Sequence, residues 1–286
     1  MIPIWEAWVC QIELTNVCSK DCIYCSRFVR HLRNDQKFFM DLKTLEKALD
    51  SLEGWENRIG IIGGEPTLHP NFEEVCRVLQ KKHPKSKYGL WTTGGSKFKK
   101  YQTLINETFE LISYNEHNNY QKETCQHQPI TIAIRDVVKV QEIRDKLINE
   151  CWVQKKWAPT ISPKGTFFCE VAYAIDVILD GPGGWPIEQG WWRKKPNEFR
   201  EQINQYCQYC GMPIPLERDY LVTNKEKIST GNLALFKAHN LQRISKQDIT
   251  IFDKELSAEE MESVRSKWDP ENYRGDITSD RIMDKN

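Results

Sequence analysis

Over residues 8–158, short apolar runs alternate with stretches whose apolar positions recur every three or four residues. The runs 8–14 (WVCQIEL), 58–64 (RIGIIGG), 87–95 (KYGLWTTGG) and 109–116 (FELISYNE) read as strands. Between the first two, 41–52 (DLKTLEKALDSL) places apolar residues at 42, 45, 48, 49 and 52, a helical period with Asp41 as N-cap. Residues 71–82 and 98–107 read as helices as well, the first capped by Asn71. Farther on, 129–136 (PITIAIRD) and 151–159 (CWVQKKWAP) are expected to form a fifth and a sixth strand around a helix over 140–150. Six β-α units imply a parallel sheet with right-handed crossovers, either doubly wound or a partial barrel. In both, chemistry gathers at the C-terminal ends of the strands.

After residue 160 the pattern changes. Residues 162–179 suggest a hairpin and a short apolar element, 180–192 (DGPGGWPIEQGWW) has no regular period, and 207–215 (CQYCGMPIP) is turn-like. The expected organisation is a barrel over 1–158, a small second domain over 159–240 and a charged extension over 241–286. The irregular Trp-rich segment is either an aromatic lid or a connector.

Composition narrows the function classes. Lys+Arg and Asp+Glu are 40 each, so net charge points to no nucleic-acid partner. No run of 18 apolar residues suggests a membrane span, and MIPIWEAWV lacks the basic start of a secretory signal. A cytoplasmic location is therefore expected, where ten cysteines are metal ligands more readily than disulfides.

Three of those cysteines lie within eight residues. Cys18, Cys22 and Cys25 are spaced C-x3-C-x2-C directly after the first strand. A closed zinc site needs four protein ligands. A cubane [4Fe–4S] cluster has four irons, so three thiolates leave one iron open to an outside ligand. A zinc knuckle completed by His31 is the alternative from the residues alone.

This motif, with Tyr24 before its third cysteine, resembles the signature of the radical SAM superfamily. The resemblance covers roughly residues 8–158 and implies a partial (β/α)6 TIM-type barrel. It also implies a [4Fe–4S] cluster whose open iron is chelated by S-adenosylmethionine. An electron from the cluster then cleaves the sulfonium, and the 5′-deoxyadenosyl radical takes a hydrogen atom from substrate. A flavodoxin- or ferredoxin-type donor supplies the electron. Gly63–Gly64–Glu65–Pro66 after the second strand is similar to the segment that approaches the methionine amino group, where a carboxylate suits an ammonium. Thr92 and Thr93, and then Ser113 and Asn115, stand where the family contacts the rest of the cofactor, although the family often has Asn near the first pair. Tyr24 joins this cofactor-binding set.

Cys151, Gly165, Cys169 and the pair Cys207 and Cys210 resemble a twitch-type auxiliary domain, the shorter relative of SPASM, with one residue fewer than usual between Gly and Cys. Four cysteines would close a second [4Fe–4S] cluster; a structural zinc on the same thiolates is the alternative. The closest pattern is that of aminocyclitol radical SAM dehydrogenases, which implies a small hydroxylated substrate, a sugar or cyclitol, and a cluster that accepts the second electron. Arg135, placed at the end of the fifth strand, is the candidate for binding or deprotonating a hydroxyl. Cys125 is the candidate hydrogen donor if the enzyme is instead an epimerase. Peptide modification is a further alternative.

Overall fold

The computed structural model describes residues 1–114, 128–154, 159–216 and 225–265. The strands β1 (Val9–Thr15), β2 (Arg58–Gly63), β3 (Tyr88–Thr92) and β4 (Leu111–Tyr114) alternate with the helices α1 (Leu42–Ser51), α2 (Phe72–Lys82) and α3 (Phe98–Thr108). Each strand pairs in parallel with the next in chain order, and α1, α2 and α3 pack neighbour against neighbour. This is the single winding of a TIM-type barrel. The amphipathic reading explains α1 directly. Leu45, Ala48 and Leu49 are buried, and the Asp41 carboxylate accepts from Thr44 N at 2.9 Å, satisfying one of the free N–H groups of the first turn. Asn71 occupies the N-cap position of α2 without a side-chain cap bond; its own N–H donates to His69 Nδ1 instead.

The fifth and sixth strands differ from expectation. Residues 129–136 form a buried turn running into α4 (Ile134–Val137), followed by α5 (Gln141–Asn149). The backbone there is taken by other partners. Ile130 O accepts from Gly211 N, Ile134 N donates to Cys210 O, and Ala133 N donates to Ser229 Oγ. The apolar run reports burial, not a sheet partner. Cys151–Gln154 is likewise a turn, and residues 155–158 lie outside the described set. The sheet is completed by β5 (Thr160–Ser162), parallel to β1 on the side away from β2, and β6 (Gly165–Phe167), antiparallel to β5. The six-stranded sheet has the order β4-β3-β2-β1-β5-β6 and is parallel except at its last pair, an α/β fold of partial TIM-barrel type.

Beyond the sheet lie α6 (Glu170–Ile178), α7 (Arg200–Tyr206) and a βαβ unit made of β7 (Glu226–Ser229), α8 (Thr230–Ala238) and β8 (Ile249–Phe252), then α9 (Ala258–Arg265). The Trp-rich segment is a connector. Trp191 and Trp192 are buried, and the Trp192 indole donates to Ser51 O and packs edge-on against Trp55. Among the described residues no helix is long and apolar enough to cross a membrane.

The central strand β1 is buried at all seven positions. Cys10, Ile12 and Leu14 join the main core. On the opposite face Gln11, Glu13 and Thr15 are equally buried, so this strand carries polar groups inside the protein. The β1–β2 register shifts between Glu13 and Thr15, a local irregularity that redirects the chain just before the cysteine loop.

Candidate functional site

The loop leaving β1 holds Cys18, Cys22 and Cys25, all partly buried. Burial raises all three thiols, Cys18 to about 11, and the neighbouring sulfurs add to the rise at Cys18 and Cys22. Backbone amides act in the opposite direction. Lys20 N lies 3.3 Å from Cys18 Sγ, and the amides of Val29 and Arg27 favour the Cys25 thiolate. Thiols crowded in this way ionise only with a compensating cation, which iron would supply.

The loop is held in a strained form. Tyr24 and Phe28, either side of Cys25, have φ of 56° and 51°, a region that side-chain-bearing residues seldom adopt. The brace is Glu226 of β7, fully buried. Its carboxylate accepts from Tyr24 N at 3.2 Å and pairs with His31 Nε2 at 2.8 Å, and Arg30 Nη1 lies 3.6 Å away. The Tyr24 hydroxyl accepts from Lys227 N at 2.9 Å. Tyr24, expected beside the cofactor, therefore spends its hydroxyl on anchoring the loop. Nothing in the charged stretch around residue 226 marked this glutamate in the sequence.

At the end of β2, Gly64 N donates to Thr15 O at 2.7 Å and Glu65 N to Val17 O at 2.9 Å. The close approach that the glycines permit is to the chain itself. A Cβ at Gly63, whose φ is 144°, would stand 1.9 Å from Thr15 O, and one at Gly64 would stand 2.3 Å from Val17 O. Glu65 is wholly buried. Its Oε1 accepts from Thr67 N (3.1 Å), Thr67 Oγ1 (2.6 Å) and Thr92 Oγ1 (2.8 Å); its Oε2 accepts from Thr93 N (2.7 Å) and Thr93 Oγ1 (2.6 Å). Five donors saturate a carboxylate with about four lone-pair sites. The carboxylate expected to meet an ammonium also joins the ends of β2 and β3, and Pro66 is buried at the start of the following turn. Thr92 and Thr93 are brought to the same spot, as the sequence suggested, with their hydroxyls turned to Glu65. Ser113 Oγ, at the end of β4, is buried with no hydrogen-bond partner among the described residues. Asn115 and Cys125 lie outside the described residues.

The other four cysteines converge, although 59 positions separate Cys151 from Cys210. All four line one recess of about 370 Å³, open mouth included, whose other walls include Phe168, Val171, Ile175 and Met212. Cys169 sits at the start of α6, where the amides of Ala172 and Val171 favour its thiolate; burial, with Cys151 adjacent, pushes the thiol up to about 12. Met212 N donates to Cys210 Sγ at 3.3 Å. Cys207 and Cys210 are raised strongly by burial and by the neighbouring sulfurs. Among the described residues no three His, Cys, Asp or Glu groups are close enough together to hold a single metal ion. An apolar cage with amides that favour the thiolates suits a cubane, in which each cysteine takes its own iron.

Arg135 is not at a strand end. It lies in α4, with its guanidinium 4.2 Å over the ring of Tyr209, between Cys207 and Cys210, and Nε 3.6 Å from Asp136 Oδ1. The substitution of a buried turn for the fifth strand places it against Tyr209 and not at a strand end.

Residues 12–114 match the model of the Radical SAM superfamily, a family that implies a [4Fe–4S] cluster and S-adenosylmethionine. No curated protein matches the chain. Among solved structures it is similar to BtrN in complex with AdoMet and 2-DOIA, with a TM-score of 0.47 and 16% identity over 77% of this chain and 96% of that one. Selenomethionine BtrN in an open conformation gives 0.42 and 15% over 75% and 90%. Streptococcus suis SuiB bound to the precursor peptide SuiA gives 0.30 and 18% over 37% and 23%.

Proposed function

We propose that this protein is a radical SAM oxidoreductase that removes two hydrogens from a small hydroxylated molecule, a sugar or cyclitol, and that its second cysteine set holds an auxiliary [4Fe–4S] cluster. The observation that carries the reading is the convergence of Cys151, Cys169, Cys207 and Cys210 on one apolar recess, apart from the three-cysteine loop. The bound groups supply one-electron chemistry: reductive cleavage of the sulfonium at the first site and an electron acceptor at the second. The protein's own contribution is placement. Glu226 fixes the strained loop that carries Cys25, and Gly63 and Gly64 bring the end of β2 against it. Ser113 offers a buried hydroxyl for a ligand group. The apolar walls around the second set keep water from the sulfurs. Four protein ligands there would leave no iron for substrate, which fits an acceptor and not a Lewis acid. A flavodoxin- or ferredoxin-type protein delivers the first electron. The division into a barrel over 1–158, an auxiliary unit over 159–240 and an extension over 241–286 belongs to the same proposal.

The test is anaerobic reconstitution followed by iron and sulfide analysis, then reaction with a panel of sugars and cyclitols. About eight irons per chain and a product two mass units lighter support the reading. The Cys207→Ala/Cys210→Ala variant should still cleave S-adenosylmethionine but form no product. Product of unchanged mass carrying solvent deuterium would identify an epimerase, and two zincs without sulfide would end the radical reading.

A further inference from the structure

Between the two cysteine sets lies an ion triad that the sequence motifs do not include. Arg27, two residues after Cys25, points its guanidinium at Glu13 of β1 and at Glu170, the residue after Cys169. Nη2 is 2.9 Å from Glu13 Oε1 and 2.6 Å from Glu170 Oε2; Nε is 3.3 Å from Glu13 Oε1, and Nη1 donates to Ser26 Oγ at 2.7 Å. Thr160 Oγ1 of β5 approaches Glu13 at 3.4 Å. The three charged residues are 0–7% exposed. A buried triad of this kind is a weak source of stability, because desolvating three charges offsets much of their attraction, and apolar residues of similar volume often serve as well. Its place in the chain suggests another use. One guanidinium fixes the loop of the first set against the start of α6, which bears a ligand of the second, by a direct ion pair.

Resting on the two-cluster reading above, we propose that Arg27 is a positioning residue shared by both cysteine sets, which, with Glu13 and Glu170, ties the Cys25 loop to the start of α6 beside Cys169 and sets the electron affinity of both clusters together. Buried charges are little screened. Removing the positive charge makes an added electron less favourable at both sites, and removing a negative charge does the reverse.

The experiment is an anaerobic redox titration followed by electron paramagnetic resonance, with iron content measured on the same samples. Arg27→Met should lower the reduced-to-oxidised ratio of both clusters at fixed potential by tenfold or more, about 59 mV for a one-electron couple. Glu170→Gln should raise both, and the double variant should return both toward wild type. Arg27→Lys, which keeps the charge, should stay near wild type. If Arg27→Met fails to fold, the upward shift of both clusters in Glu170→Gln carries the test. Eight irons with unmoved potentials, shifts at one cluster only, or shifts of one sign in all variants overturn the role of Arg27 and leave the two-cluster reading standing. Four irons in the wild-type protein overturn both.

Discussion

Replacing Glu65 by Gln separates two readings of the second motif. The side chain is wholly buried and its oxygens face five donors, two of which, Thr67 N and Thr93 N, are backbone groups that cannot turn round. A carboxamide has one acceptor and one donor end. Either orientation sets its NH₂ against a backbone N–H. The shorter bond is to Thr93 N, 2.7 Å against 3.1 Å at Thr67 N, so the carbonyl should turn to Thr93 and the NH₂ to Thr67. The threonine hydroxyls can rotate to accept. The net loss is one buried donor without a partner and the weakening of four charge-assisted bonds, about 1–3 kcal/mol. With an m-value of about 3 kcal/mol per M, a loss of 2 kcal/mol moves the urea midpoint down by roughly 0.7 M. Anaerobic urea unfolding followed by tryptophan fluorescence measures this, with S-adenosylmethionine binding measured in parallel. A Glu65→Gln variant that unfolds at the wild-type midpoint yet no longer binds S-adenosylmethionine would refute the reasoning, because the carboxylate would then serve the ligand and not the strand ends.

Gly64→Ala places a Cβ against the Val17 backbone, which has no rotamer by which to yield; the end of β2 should part from the cysteine loop, seen as faster hydrogen exchange at residues 15–25 and a lower thermal midpoint. His69 accepts from Asn71 N through Nδ1 and lies 2.8 Å from Met40 O through Nε2, so it must be neutral with its proton on Nε2. Burial lowers its pKa below the usual value near 6.5, so its contribution to stability is complete above that pH and is lost as pH falls below it toward the folded value. Urea midpoints measured from pH 7.5 to 5 should therefore fall, and the slope should flatten in His69→Gln.

What the sequence discloses depends on how local the cause is. β1 to β4 and their helices were legible because each element carries its own period and, at Asp41, its own cap. The three-cysteine spacing was legible for the same reason. Residues 129–136 and 151–154 misled because an apolar run states only that a segment is buried. The partners of the first segment's backbone, Cys210, Gly211 and Ser229, lie more than seventy positions away, at a distance no window can see. Glu65 was found as a residue but not as a strut, since its meaning comes from three threonines, two of them at the end of another strand. Glu13 did leave a signal: a carboxylate inside the apolar run of a first strand, in a sheet covered on both faces, needs a buried partner. Arg27, two residues past Cys25, is that partner.

The position of Glu226 bears on how the two halves of the chain depend on each other. The cysteine loop cannot hold Tyr24 and Phe28 in left-handed conformations from its own bonds, because those residues favour other backbone angles by about 1–3 kcal/mol each. The restraint comes from β7, through Tyr24 N, the Tyr24 hydroxyl and His31. His31 is tied in turn to the segment after α8, its Nδ1 lying 2.9 Å from Gln242 O. Phe236 of α8 packs edge-on against both Phe28 and His31, closing the same contact from the apolar side. The span that matches the Radical SAM superfamily ends at residue 114, yet the geometry of its cysteines is held by residues more than a hundred positions beyond it. The β7–α8–β8 unit is therefore part of the first site's structure, and loss of its brace should loosen Cys25 before it disturbs the sheet.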